Sequence, residues 1–240
     1  DLNADASGAF AHLDLKATGV GGRDEAEGET ADLDVNAQWD GESVDGKIEI
    51  TGIDGLTAQA TVSWPLTHYP DEGTVLTVEE DPFKAAVTLQ GGLAQLWDRL
   101  PIGDQTLSGD LDIGIAVSGT LNDPKIEGSA TVRDARYENF TAGTLIEKLN
   151  LTTSIDADGS LSLQASGSDG DVGTLMINGH ARIDKDEGLS LDTTLVLTAF
   201  RAVNLDNAEV VAAGSVSYVG TPIGGKITGN ITAEPVSINV

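Results

Sequence analysis

Residues 107–132, LSGDLDIGIAVSGTLNDPKIEGSATV, set the pattern for the chain. Leu107, Gly109, Leu111, Ile113, Ile115, Val117, Gly119 and Leu121 take every second position, and Asp110, Asp112 and Ser118 fall between them. This period of two marks a strand with one apolar and one wet face. Asn122-Asp123-Pro124 then reads as a turn, because Asn and Asp bond their own backbone and Pro presets φ. Alternation restarts at Ile126, Gly128, Ala130 and Val132. The unit is strand, tight turn, strand. Gly109, Gly119 and Gly128 fall in the apolar phase, which suggests places where the sheet can curl and leave room for a ligand.

The rest of the chain varies this unit. Residues 9–17 predict a strand, and residues 19–29 (GVGGRDEAEGE) a polar, Gly-rich loop. Ala31, Leu33, Val35, Ala37 and Trp39 alternate up to Asp40-Gly41. Ile48 and Ile50 make a short strand ended by Asp54-Gly55, and Leu56 to Trp64 another. Residues 65–73 read as a loop, followed by strands around Leu76 and Val78 and from Phe83 to Leu89, with Pro82 between them. Tyr137, Phe140 and Leu145 frame a turn. Further strands carry Leu149, Leu151 and Ile155; Leu161, Leu163 and Ala165; Leu175, Ile177 and Ile183; Leu189 to Ala199; Val210 to Val219; and Ile227 to Ala233. Short turns between such strands predict an all-β, continuous antiparallel meander.

One stretch breaks the rhythm. Leu93, Leu96, Trp97 and Leu100 follow the helical spacing i, i+3, i+4, i+7. They predict one short helix over residues 91–101, which persists only if its Leu-Trp stripe packs on the sheet. Sub-repeats at about 1–90 and 104–240 flank it within a single elongated segment. Gly119-Thr120 and Lys125-Ile126-Xaa-Gly128 recur as Gly220-Thr221 and Lys226-Ile227-Xaa-Gly229 at one offset, since 220 − 119 and 226 − 125 are both 101.

Composition sharpens the picture. Hydrophobic residues are 40% of the chain but aromatics only 4%, so the apolar face is a thin aliphatic lining. That suits a shallow surface spread over many strands better than a compact core. The formal charge of −26 repels phosphate backbones and excludes nucleic acid as a partner. The acids are dispersed between apolar residues, as on solvated strand faces that resist edge aggregation. There is no Cys, hence no disulfide framework. No apolar run reaches the roughly 20 residues that span a bilayer. The start at Asp1 and the end inside an alternating pattern at Val240 suggest a segment of a longer protein, with any anchor outside it.

Candidate chemistry is sparse. His12, His68 and His180 are isolated, there is no Gly-Xaa-Ser-Xaa-Gly elbow, and Gly19-Xaa-Gly21-Gly22 lacks the context of a nucleotide site. Asp156-Xaa-Asp158-Gly159 and Asp169-Gly170-Asp171 start like calcium loops but lack the later ligands, and hairpin turns explain them. No metal, cofactor or catalytic role is expected. What remains is the apolar face itself: Leu111, Ile113, Ile115, Val117, Ile126, Val132, Leu149, Leu151, Ile155, Leu161, Leu163, Leu175, Ile177, Leu195 and Leu197. Either two sheets cover each other, or one curled sheet leaves this face open as a groove for acyl chains. The Leu93, Leu96, Trp97, Leu100 stripe then caps or plugs that groove.

Several motifs carry a family resemblance: Leu107-Ser108-Gly109-Asp110-Leu111, Val117-Ser118-Gly119-Thr120-Leu121 with Pro124 and Ile126-Xaa-Gly128, Tyr137-Glu138-Asn139, Gly143-Thr144-Leu145, and Gly159-Ser160-Leu161-Ser162-Leu163. Over residues 93–183 the chain resembles the C-terminal region of the TamB family (translocation and assembly module), whose AsmA-like and bridge-like lipid-transfer relatives share such motifs. The resemblance implies a β-taco, a U-shaped sheet crossing the periplasm of a Gram-negative bacterium with an apolar concave groove. It implies an anchor in the inner membrane, a TamA-like outer-membrane barrel as partner, phospholipid passage between the membranes, and support for autotransporter and outer-membrane protein assembly. It implies no catalytic residues. Two other functions fit the same pattern: a scaffold holding nascent outer-membrane β-strands, and a closed structural β-solenoid or adhesin repeat.

Overall fold

A computed structural model describes residues 2–7, 10–20, 31–53, 55–69, 74–76, 80–97, 100, 102–184 and 188–238. Strands β1 (Leu2–Ser7), β2 (Phe10–Val20), β3 (Ala31–Trp39), β4 (Ser43–Ile53), β5 (Leu56–Pro65), β6 (Thr67–Tyr69), β7 (Thr74–Leu76) and β8 (Phe83–Gly92) precede helix α1 (Leu93–Trp97). Strands β9 (Gln105–Gly119), β10 (Pro124–Asn139), β11 (Thr144–Ile155), β12 (Ser160–Ser168), β13 (Thr174–Asp184), β14 (Gly188–Leu205), β15 (Ala208–Thr221) and β16 (Gly224–Ile238) follow. The protein is an all-β antiparallel meander with one short helix. Strand order is chain order, β1-β2-β3-β4-β5-β8-β9-β10-β11-β12-β13-β14-β15-β16, and it does not close into a barrel.

Two local readings change. Residues 65–73 are not all loop, because β6 pairs with β7 as a separate hairpin, Thr67 opposite Leu76. The helix starts at Leu93, two residues later than expected, and residues 98 and 99 lie outside the described residues. Gly91 and Gly92 end β8, and Gly91 lies so close to β5 that a Cβ there would come within 1.8 Å of the Gly55 carbonyl oxygen. The Gly-rich stretch of residues 21–29, and Asp54, Val78 and Pro101, lie outside the described residues.

The chain forms two compact units. Unit 1 is Asp1–Gly91 with Ile113–Gly128, and unit 2 is Gly92–Asp112 with Ser129–Val240. In unit 1 the alternating residues meet in rows across the strands. Leu15, Val35, Ile48, Ala60 and Val87 stand side by side on β2, β3, β4, β5 and β8. Leu33, Ile50, Ala58 and Leu89 form a second row on the same face. The opposite face carries Lys16, Asp34, Glu49, Gln59 and Thr88 in register, with Lys16 paired to Asp34 at 3.0 Å. Because the side-chain period is two, a slip of one residue would place every Leu, Ile and Val among these charges.

Unit 2 repeats the logic over longer strands. Leu151, Ala165, Ile177, Leu195 and Val216 form one row across β11 to β15, and Ile155, Leu161, Ala181 and Leu191 another. Gly167, Leu175, Leu197 and Gly214 form a third. The other face holds Ser162, His180 and Asp192 in register.

Three strands of unit 2 change phase part-way. Asp134 in β10, Lys148 in β11 and Ala199 in β14 have φ of 47°, 50° and 45°, the left-handed region that non-Gly residues rarely adopt. The pairing register shifts beside two of them, between Glu147 and Asn150 in β11 and between Leu197 and Phe200 in β14. A bulge of this kind inserts an extra residue, so the side chains beyond it swap faces.

Candidate functional site

The apolar face of unit 1 is partly open to solvent. Ile48 is 42% exposed although it stands in the middle of its row, and Val87, the β8 member of that row, is 49% exposed. Leu56 is the single buried apolar residue described in this unit. At one end of the face Trp64 and Phe83 lie with ring centroids 4.9 Å apart, and the Trp39 indole N–H donates to the Leu66 carbonyl at 2.7 Å. Of the residues singled out from the sequence, Ile113, Ile115, Val117 and Ile126 belong to unit 1. Ile115 and Ile126 are 43% and 42% exposed, and Ile113 and Val117 are half-buried.

Unit 2 holds the rest. Leu149, Leu151, Ile155, Leu161, Leu163, Ile177, Leu195 and Leu197 are half-buried, as is Val132. The β11 to β14 members of this set share one face, as the rows above require. Leu111 and Leu175 differ, being buried. Leu175 lies at the end of the face where Ala165, Phe200 and Ala212 are also buried, and Phe200 is only 4% exposed. Neither Phe200 nor Ala135, which is fully buried against Gly109, continues the simple alternation. Their sequence signal is the break itself: Arg133-Asp134-Ala135-Arg136 and Ala199-Phe200-Arg201, where charged and apolar residues fall out of phase.

At this end of unit 2 hydrogen bonds join β14 to the start of β11 and to the β12–β13 turn. Beyond Ala199, β14 leaves β13 and meets the start of β11. The Asn204 N–H donates to the Ala142 carbonyl at 3.1 Å, and the Thr144 hydroxyl to the Ala202 carbonyl at 2.6 Å. Asp169, buried in the turn between β12 and β13, ties that turn to β14. One carboxylate oxygen accepts from the N–H groups of Asp171 and Gly173, and the other from the Arg201 N–H at 2.9 Å. Burial alone would raise the Asp169 pKa, but these N–H groups and the Arg201 charge together bring it below the usual carboxylate value. The Arg201 guanidinium spans Glu209 at 2.8 Å and Asp171 at 3.3 Å.

Helix α1 is fastened to unit 2. The Trp97 indole N–H donates to the Gln105 carbonyl at 3.3 Å, its ring meets Tyr137 edge-on with centroids 6.5 Å apart, and the Tyr137 hydroxyl donates to the Gln105 side chain at 2.9 Å. Leu93 and Leu96 are half-buried, and Leu100 is half exposed.

Gly109, Gly119 and Gly128 do not leave room for a ligand. A Cβ at Gly109 would lie 2.6 Å from the Ala135 Cα, one at Gly128 2.4 Å from the Gly114 carbonyl oxygen, and one at Gly119 2.5 Å from the Asp123 carbonyl oxygen. They permit close strand approach and a tight turn.

His12 faces Gln38, and His180 faces Asp192 and Ser162. The His68 side chain lies outside the described residues. Asp158 accepts from the Ser160 N–H, closing its turn. Among the described residues no three His, Cys, Asp or Glu side chains cluster as metal ligands, and no helix is long and apolar enough to cross a membrane. In comparisons with protein-family models, curated proteins and solved structures, nothing matched the chain.

Proposed function

We propose that this chain conducts phospholipid between the inner and outer membranes of a Gram-negative envelope, its apolar faces receiving the acyl chains. The observation that carries the reading is the exposure of large aliphatic side chains in unit 1: Ile48 and Val87 in one cross-strand row, and Ile115 and Ile126 on β9 and β10, stay about two-fifths to one-half exposed. Such a face invites an apolar occupant. Each acyl methylene it removes from water contributes about 0.8 kcal/mol, and neighbouring positions along an aliphatic lining offer similar burial, so a chain can slide at low cost. A charged headgroup stays outside, since it would lose hydration on the face. The chain works in the periplasm, held to the inner membrane by a segment outside this sequence, with a TamA-like barrel as its outer-membrane partner, and it supports autotransporter and outer-membrane protein assembly. It acts as a binding and conducting surface and not as an enzyme. The test is transfer of a fluorescent phospholipid between vesicles by wild type, Ile115→Asp and Leu151→Asp. Folded variants that transfer as fast as wild type would refute the reading.

A second reading, a scaffold for nascent outer-membrane strands, is favoured by β16. Its residues 224–234 are all exposed, Ile227 at 71%. An amphipathic strand can add to such an edge through main-chain bonds. Photocrosslinks from position 227 to a β-strand substrate, with none to lipid, would favour it. A closed β-solenoid fits less well, since among the described residues no large side chain is fully buried.

A further inference from the structure

We infer that the tail of β14, residues 201–205, is a latch that shuts one end of the apolar face of unit 2, so that acyl chains reach Leu175 and Phe200 only when it opens. This rests on the reading that the face takes acyl chains. Three observations converge on it.

The first is topological. In the meander β11 and β14 are separated by β12 and β13, so a plain sheet would keep them apart. β14 pairs with β13 without a break from Gly188 to Thr198, and Ala199, at φ 45°, ends that ladder. The tail then bonds to the start of β11 through Asn204 and Thr144. The approach is tight, because a Cβ on Gly143 would lie 1.8 Å from the Asn204 carbonyl oxygen. The tail of β14 therefore reaches past β12 and β13 to the start of β11 at this end of unit 2.

The second is the clasp. Asp169 holds the tail through one bond to the Arg201 N–H, while its other bonds stay within its own turn. Arg201 reinforces it across Asp171 and Glu209. The tail stays paired with β15, Arg201 opposite Val211 and Leu205 opposite Ala208, and moves with that strand. What joins the pair to β11 and to the β12–β13 turn is a short polar seam, whereas the β13 to β14 ladder is long and continuous. Short seams with few apolar contacts open locally, well below the free energy of global unfolding.

The third is the burial at the end of the face that carries the latch. Leu175 and Phe200 are 5% and 4% exposed, while Ile177, Leu195 and Leu151 on the same face are half-buried. The face is blind at the latch and more accessible away from it. A closed latch makes unit 2 a holder of acyl chains, and an open one lengthens the face.

The test combines amide hydrogen exchange with binding of cis-parinaric acid, a fluorescent fatty acid, to the whole chain. In wild type the amides of Arg201 and Asn204 exchange together and faster than those of residues 176–178 and 194–196. Asp169→Asn raises the seam exchange about tenfold, leaves the mid-ladder amides unchanged, and increases probe binding. Thr144→Val, which removes the hydroxyl bond to Ala202 with little change of shape, raises seam exchange several-fold and serves if Asp169→Asn does not fold. Seam amides that exchange no faster than the mid-ladder amides in all three proteins would overturn the latch. A looser seam with unchanged probe binding would overturn the claim that acyl chains enter there. If the probe binds none of the proteins, acyl binding itself fails, and the exchange data still decide whether the seam opens.

Discussion

Ile48→Asp separates an open apolar face from a covered one. Ile48 stands between Val35 and Ala60 and keeps a little over half of its burial. Full burial of an Ile contributes roughly 1.5–3 kcal/mol, so its replacement should cost about 1–2 kcal/mol. The new carboxylate would keep contact with water and avoid the penalty of burying a charge. Were a second layer to cover this face, that penalty would add several kcal/mol, and the unit would not fold. Leu175→Ala is the control: at 5% exposure it should cost about 2–5 kcal/mol, most of it from the cavity left behind. Urea unfolding followed by far-ultraviolet circular dichroism measures both. An Ile48→Asp cost larger than that of Leu175→Ala, or a variant that fails to fold, would refute the reasoning. The folded variant should also bind fatty acid more weakly, since a carboxylate then interrupts the lining.

Other expectations follow from single contacts. The depressed pKa of Asp169 means its stabilisation is complete above the ordinary carboxylate value of about 4 and is lost as pH falls through the lower folded value. The stability gap between wild type and Asp169→Asn, measured by urea unfolding, should therefore shrink on acidification below about pH 4. Trp97→Ala removes the bond to Gln105 and the edge contact with Tyr137, and should cost about 2 kcal/mol with loss of near-ultraviolet dichroism. Gly109→Ala forces a Cβ at φ 138° toward the Ala135 Cα and should lower stability by more than about 1 kcal/mol in thermal unfolding.

Alternation carries far in this chain. The Leu15 to Val87 row of unit 1 and the Leu151 to Val216 row of unit 2 are fixed by the period of two together with chain-order pairing. The pattern fails where the backbone departs from plain strand geometry. Nothing in a hydrophobicity pattern forces Asp134, Lys148 or Ala199 to positive φ, yet each marks a change of face, and so Ala135 and Phe200, among the most buried residues, go unread. The β11 to β14 seam is equally hidden, since it joins elements that two strands separate and rests on one main-chain bond and one Thr hydroxyl bond that no hydrophobicity pattern records. The helical period over residues 93–100 was legible, but its start was set by the contact of Gly91 with Gly55, which no local spacing records. Gly109 and Gly128 show the same limit: phase places them on the apolar side, and only neighbouring backbone explains why a side chain is excluded.

Native mass spectrometry of the purified chain after incubation with phospholipid vesicles tests the central claim most directly. The expected result is a folded protein carrying two-chain phospholipid, with occupancy falling sharply in Ile48→Asp, Ile115→Asp and Leu151→Asp. A folded wild-type chain that stays free of lipid under these conditions would contradict it.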